Sequence, residues 1–168
     1  MDIKTASIQD VKDISRIHAS SWKTAYKGII PQEYLDNLKD DFWVPAFEKW
    51  ISDHTITSKL IYEGDKAIGC IAYGKSRDSS LPDWGEIVSI YVLPEYFGRG
   101  YGKQLLESAI NDMHCQGFEN IYLWVLEDNT RAHKFYKKHG FLESEDRITC
   151  EISGKELIDF RFIHHIEK

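Results

Sequence analysis

The stretch "IVSIYVLPEYFGRGYGKQLLESAI", residues 87–110, decides how the chain is read. An apolar run suited to a buried strand passes through a short loop into Gly98, Gly100 and Gly102. A helix-patterned segment follows, with Leu105, Leu106, Ala109, Ile110 and Met113 on one stripe. Glycines where a strand feeds a helix let backbone approach a ligand closely, and the free amides of a helix start favour an anion such as phosphate. A turn that only redirects the chain would use the same residues, so the triplet alone leaves both readings open.

Two familiar phosphate loops fail against these letters. A P-loop requires a Gly five positions before a Gly-Lys pair and then Ser or Thr, but Phe97 stands before Gly102-Lys103 and Gln104 follows it. A dinucleotide fingerprint requires G-x-G-x-x-G directly after the strand, whereas this chain has G-x-G-x-G after an intervening "LPEYF". The acids Glu127 and Asp128 keep a nicotinamide enzyme as a third reading.

Outward from the turn, the pattern alternates strands and helices. "DIKTAS" suits a first strand, and Ser7 with Asp10 forms a helix N-cap with an acid in the first turn. Val11, Ile14, Ile17 and Trp22 then recur at helical spacing. The aromatic-rich segment from Tyr26 to Ser52, broken by Gly28, Pro31 and Pro45, reads as two short helices able to wall a pocket. A hairpin turns at Gly64-Asp65, "RDSSLPDW" is a surface loop, and Glu86 to Val92 is apolar enough for a central strand covered on both faces. Helix 100–116 stops at Gly117, and a strand at 121–126 leads to a short Asn-capped helix at 129–140. Two strands near "FLESEDRIT" and "KELIDFRFIHH" close the chain. The spacing therefore predicts one α/β domain over residues 1–168, without repeats or linkers.

Composition agrees and excludes several classes. A chain of 168 residues with 42% hydrophobic and 13% aromatic content can build a real core. Its net charge of −6 argues against a nucleic-acid surface and suits a cationic partner. No signal-like start or long apolar window is present, so no membrane association and a cytoplasmic location are expected. Cys70, Cys115 and Cys150 read as free, largely buried thiols. No metal is expected, because His114, His133, His139, His164 and His165 have no metal-ligand spacing.

"VLPEYFGRGYGKQLL" resembles the acetyl-CoA signature of the GNAT superfamily of N-acetyltransferases: Gln or Arg, two variable residues, Gly, one variable residue, then Gly or Ala. Gly100 and Gly102 match, while Phe97 replaces Gln or Arg and removes one side-chain donor near the pyrophosphate. "LWVLEDNTRAHKFYKKHGF" is similar to the family's second signature, and "IHASSWKTAYKGIIPQEYLDNL" is similar to a bacterial subgroup that includes polyamine acetyltransferases.

The resemblance implies a mixed, mostly antiparallel sheet flanked by helices, with two splayed parallel strands at its centre. It also implies transfer of acetyl from acetyl-CoA to a primary amine by direct attack in a ternary complex. Backbone of Tyr91 and Val92 would hold the pantetheine arm, a backbone amide near Tyr91 would serve the oxyanion, and Phe97, Gly98, Arg99, Gly100, Tyr101 and Gly102 would wrap the pyrophosphate. Asn129 and Tyr136 would face the arm from one helix side, being seven positions apart. Tyr136 is the implied general acid, since a phenol of ordinary pKa about 10 carries its proton at neutral pH. Its helical spacing with Ala132 and Phe135 suits a core position equally. Glu86 is the implied base, with Asp83 and Glu127 as rivals, and Trp22, Tyr26 and Tyr34 would line a small-amine site. A homodimer follows only from family habit, and Phe97 leaves a second class open: a CoA-binding module without turnover.

Overall fold

The computed structural model describes residues 2–166. In chain order these form β1 (Asp2–Thr5), α1 (Val11–Ala25), α2 (Gln32–Asp36), α3 (Val44–Ser52), β2 (Ile56–Glu63), β3 (Lys66–Lys75) and β4 (Gly85–Val92). The second half holds α4 (Tyr101–Cys115), β5 (Asn120–Leu126), α5 (Thr130–Lys138), β6 (Leu142–Ile152) and β7 (Lys155–His165). The expected starts and stops have physical causes. Ser7 and Asp10 make a reciprocal capping box ahead of α1, and Asn129 caps α5 by accepting from the Ala132 amide at 3.2 Å. Pro45 does not break α3 but stands at its second position, where no helical donor is lost.

The strands form one sheet in the order β1-β2-β3-β4-β5-β7-β6. All neighbouring pairs are antiparallel except β4 and β5, which run parallel and are paired only at Gly85–Ile121 and Glu86–Tyr122. Beyond those residues the two strands part. This is the mixed sheet that the resemblance implies, and the parting fixes where a ligand can enter.

Two apolar layers cover the faces. Leu105, Leu106, Ala109 and Met113 of α4 pack on Ile71, Ile87, Ile121 and Leu123, while Ile14 and Ile17 of α1 and Phe47 of α3 pack on Leu60, Cys70 and Ala72. A bulge in β4 at Val88 shifts the register between the Ala72–Ser89 and Tyr73–Ile87 pairs. It places Val88 and Tyr91 on the α1 side and Ile87 and Ile90 on the α4 side, which a strict two-residue alternation would not do.

Two expectations need correction. β4 is buried only from Gly85 to Ile87 and half-buried onward, because its second half borders a cleft. Of the cysteines only Cys70 is buried; Cys115 and Cys150 are exposed, on a helix end and on the outer strand β6. The closing β6–β7 hairpin turns on Ser153-Gly154, both in the left-handed region with φ of 52° and 82°.

Candidate active site

The parting of β4 and β5 opens a cleft of about 650 Å³ that reaches from the glycine turn, between α4 and α5, through to the α1 side of the sheet. Most of the expected cofactor-side residues line it: Tyr91, Val92, Phe97, Gly98, Gly100, Tyr101, Gly102, Asn129 and Tyr136. Arg99 does not; its guanidinium lies over Tyr96 and near Glu63 at 3.7 Å.

At the turn, Gly98 and Gly100 have φ of 77° and 84°, and a Cβ at either would meet no atom within 4 Å. They are therefore required by conformation, with open space beside the backbone where a ligand could approach. No turn hydrogen bond engages the amides of Gly98 to Gly102 among the described residues. They converge at the start of α4, where unpaired donors and the helix dipole attract an anion. Lys103, Arg131 and Lys138 line the same end of the cleft. Arg131 answers the departure at Phe97: its guanidinium stacks on the Phe97 ring at 3.5 Å from the centroid. A cation from α5 thus stands where the usual Gln or Arg side chain is missing. Residues present at this end fit a pyrophosphate.

The edge of β4 departs from expectation in one respect. Leu93 donates its amide to the Ile68 carbonyl at 2.8 Å. Alternate residues of an antiparallel ladder face the partner strand, so Tyr91, opposite Cys70, also turns its amide toward β3. The amides of Ile90 and Val92 face the cleft instead. Ser21 Oγ, donating to the Val92 carbonyl at 3.2 Å from the α1 side, agrees with that orientation.

Deeper in the cleft three tyrosines converge. Trp22 Nε1 donates to the Tyr91 hydroxyl at 3.0 Å, and the Tyr91 and Tyr26 hydroxyls are hydrogen-bonded at 3.0 Å. Burial pushes the Tyr91 and Tyr26 phenols above the ordinary range, with each close enough to act on the other. Tyr136 is 8% exposed and its phenol is pushed up by burial, with Tyr26 adding to the effect. Among the described residues its hydroxyl has no hydrogen-bond partner, so that oxygen stands available within the cleft.

Glu86 is not brought to this place. Its carboxylate is buried and accepts four hydrogen bonds: from the Arg77 amide at 3.0 Å, Arg77 Nε at 3.1 Å, Arg77 Nη2 at 2.7 Å and the Tyr122 hydroxyl at 3.0 Å. A carboxylate so enclosed and absent from the cleft wall has no access to an arriving amine. Its place is structural, closing the loop that Arg77 begins. Asp83 and Glu127 are exposed and outside the cleft. Of the expected amine-site aromatics, Tyr26 lines the cleft and Trp22 supports it through Tyr91. Tyr34 faces a separate shallow depression beside Asn37 and Phe42.

Four residues in or directly behind the cleft wall were not visible in the chain pattern: His18, Ser89, Arg131 and Asp159. His18 on α1 is buried, with Nδ1 donating to the Ile14 carbonyl at 2.9 Å, so Nε2 accepts from Ser89 Oγ at 3.0 Å. Burial holds this imidazole neutral, pushed down to about 4. Ser89 lines the cleft, and a hydroxyl that donates to His18 keeps its oxygen able to accept a further hydrogen bond. Asp159 on β7 lines the cleft, as does Arg131. Among the described residues no group of three or more His, Cys, Asp or Glu is placed to hold a metal, and no helix is long and apolar enough to cross a membrane.

A sheet whose central parallel strands part beside a glycine turn and a helix start is the frame of a transferase that works on a carrier-bound acyl group. The sequence profile of the acetyltransferase (GNAT) family matches residues 18–141, and the chain belongs to that family, as an acyltransferase enzyme. It is 30% identical over 129 residues to the uncharacterized N-acetyltransferase YuaI of Bacillus subtilis, covering 76% of this chain and 72% of that protein. It is 28% identical over 153 residues to a spermidine N(1)-acetyltransferase of Thermoplasma acidophilum, covering 84% and 88%. In fold it resembles the PaiA N-acetyltransferase of Thermoplasma acidophilum, solved in complex with coenzyme A. The TM-score is 0.79 at 24% identity, covering 99% of this chain and 100% of that one.

Proposed function

We propose that the protein transfers acetyl from acetyl-CoA to a primary amine of a small molecule, by direct attack while both substrates are bound. The observation that carries this reading is the cleft itself: a phosphate-suited turn at one end, the free edge of β4 along its length, and the unpartnered Tyr136 hydroxyl within. Two proteins of similar fold, the PaiA N-acetyltransferase solved with coenzyme A and yncA of Salmonella typhimurium solved with acetyl-CoA (TM-score 0.76), support the choice of carrier. The named spermidine N(1)-acetyltransferase supports a small amine.

The amides of Gly98 to Gly102, with Lys103 and Arg131, would hold the pyrophosphate, and the amides of Ile90 and Val92 would hold the pantetheine arm. Acetyl-CoA, when bound, supplies an activated thioester. Tyr136 keeps its proton until charge develops on the departing sulfur and delivers it there, the proton shed by the newly acylated nitrogen restores the phenol, and burial ensures that the phenol is not lost as phenolate beforehand. Ser89 presents an acceptor to the amine N–H, and the bonded Trp22–Tyr91–Tyr26 set fixes the wall against which the amine lies. No cysteine lines the cleft among the described residues, so the side chains there favour direct attack over a thioester on the enzyme.

Initial velocities with acetyl-CoA and spermidine both varied test the reading. Intersecting double-reciprocal lines are expected. Parallel lines with an isolable acetyl-enzyme would overturn direct attack.

A further inference from the structure

Charge in the cleft is divided between its ends. Lys103, Arg131 and Lys138 stand at the α4–α5 end, and among the described lining residues a single carboxylate, Asp159, faces them from β7 across the sheet. Asp159 is opposite Leu126, the last residue of β5, so it sits where the parted strands open toward α1. It is half-buried, and among the described residues no cation pairs with it; its side-chain neighbour is the Cys150 thiol at 3.9 Å. The nearest basic residue on its own strand, Arg161, is committed elsewhere. It is bound to Asp78 at 2.5 Å and Asp146 at 3.2 Å and stacked over Tyr122 and Trp124. Burial raises the Asp159 carboxyl above the usual range. A half-buried carboxylate with no cation beside it is costly to keep charged, and an incoming cation would reduce that cost.

Position relative to Tyr26 narrows the ligand. Tyr26 packs in one apolar cluster with Leu126, the residue opposite Asp159, and its hydroxyl is bonded to that of Tyr91 in the cleft that Tyr136 also lines. Tyr26 thus shares the cleft wall with both the carboxylate and the phenol at which the transfer would occur. Its ring gives a cation or a methylene chain a face to cross.

We infer that Asp159 receives a second, non-reacting ammonium of the acceptor, which makes the acceptor an alkyl diamine or polyamine lying along the cleft wall that Tyr26 shares. The inference rests on the reading above that the acceptor is an amine. It assigns substrate choice to one residue: an amine with a second cationic nitrogen is anchored by a charge-assisted hydrogen bond, and one ending in a methyl group is not.

The test compares 1,4-diaminobutane and spermidine with butylamine in the wild type and in Asp159→Asn, which keeps the side-chain shape. The ratio of kcat/KM for a diamine over the monoamine should fall by about tenfold to a hundredfold in the variant, while the acetyl-CoA dissociation constant stays unchanged. Asp159→Glu should recover part of the ratio. An unchanged ratio in Asp159→Asn overturns the inference although transfer stands. If the wild type transfers to no amine, calorimetric titration of spermidine into the CoA-loaded protein decides the point. Binding lost in Asp159→Asn supports the anchor while the proposed reaction fails; equal binding in both proteins, or none in either, overturns the anchor.

Discussion

Tyr136→Phe removes one oxygen and leaves the ring that the fold uses. That ring packs against Phe135, Phe141 and Phe162 with centroids 5.3, 5.7 and 6.3 Å away, contacts a phenylalanine keeps. The hydroxyl has no partner among the described residues, so the substitution orphans no buried group and stability should stay within about 0.5 kcal/mol. A general acid contributes about 10²–10⁴ in rate, equivalent to about 2.7–5.4 kcal/mol of barrier. The two magnitudes separate cleanly. Urea unfolding and acetyl-CoA calorimetry should give near wild-type values, while kcat at saturating substrates should fall at least about a hundredfold. Unchanged kcat with unchanged stability would return Tyr136 to the core as a packing residue. A rate loss matched by an equal loss of stability would refute the chemical role.

Other perturbations separate structure from chemistry in the same way. Glu86→Gln should lower unfolding free energy by about 2–3 kcal/mol in urea melts, because the carboxylate holding Arg77 is lost, with kcat of the folded enzyme within about threefold; a rate loss above tenfold would restore Glu86 as the base. His18 is held down to about 4 in the fold against about 6.5 unfolded, so the unfolded chain binds more protons between those values. Stability from His18 is complete above that range and falls as pH drops, by about 2 kcal/mol between pH 7 and pH 5. Urea melts of wild type and His18→Gln at both pH values should differ by that amount, and parallel pH dependence in the two proteins would contradict it. Arg131→Ala should weaken acetyl-CoA binding about tenfold at low salt and less at high salt, measured by calorimetry, and a salt-independent or absent effect would remove Arg131 from the phosphate end.

Much of the frame was legible because its signals are local. The glycine turn, the α4 stripe, the Asn129 cap and the Gly64-Asp65 hairpin each rest on residues a few positions apart, and each stands where the pattern places it. Features that rest on long-range pairing were not legible. Glu86 looked free at a strand start, yet its partners Arg77 and Tyr122 come from a preceding loop and the neighbouring parallel strand. His18 meets Ser89 across 71 positions, and Arg131 reaches Phe97 only once α5 is folded against the turn. The Val88 bulge has no mark in an apolar run, although it decides which β4 residues face α1. Asp159 sits in a mixed polar strand whose inward face is fixed only by pairing with β5.

The most direct measurement incubates the protein with acetyl-CoA and a panel of spermidine, spermine, lysine, an aminoglycoside and a short peptide with a free N-terminus. Free thiol and acetylated product are then followed in the same samples. The expected result is equal appearance of CoA thiol and an N-acetylated amine, with the polyamines turned over fastest. Saturable acetyl-CoA binding with neither product from any amine would contradict the claim that this cleft transfers acetyl to small amines.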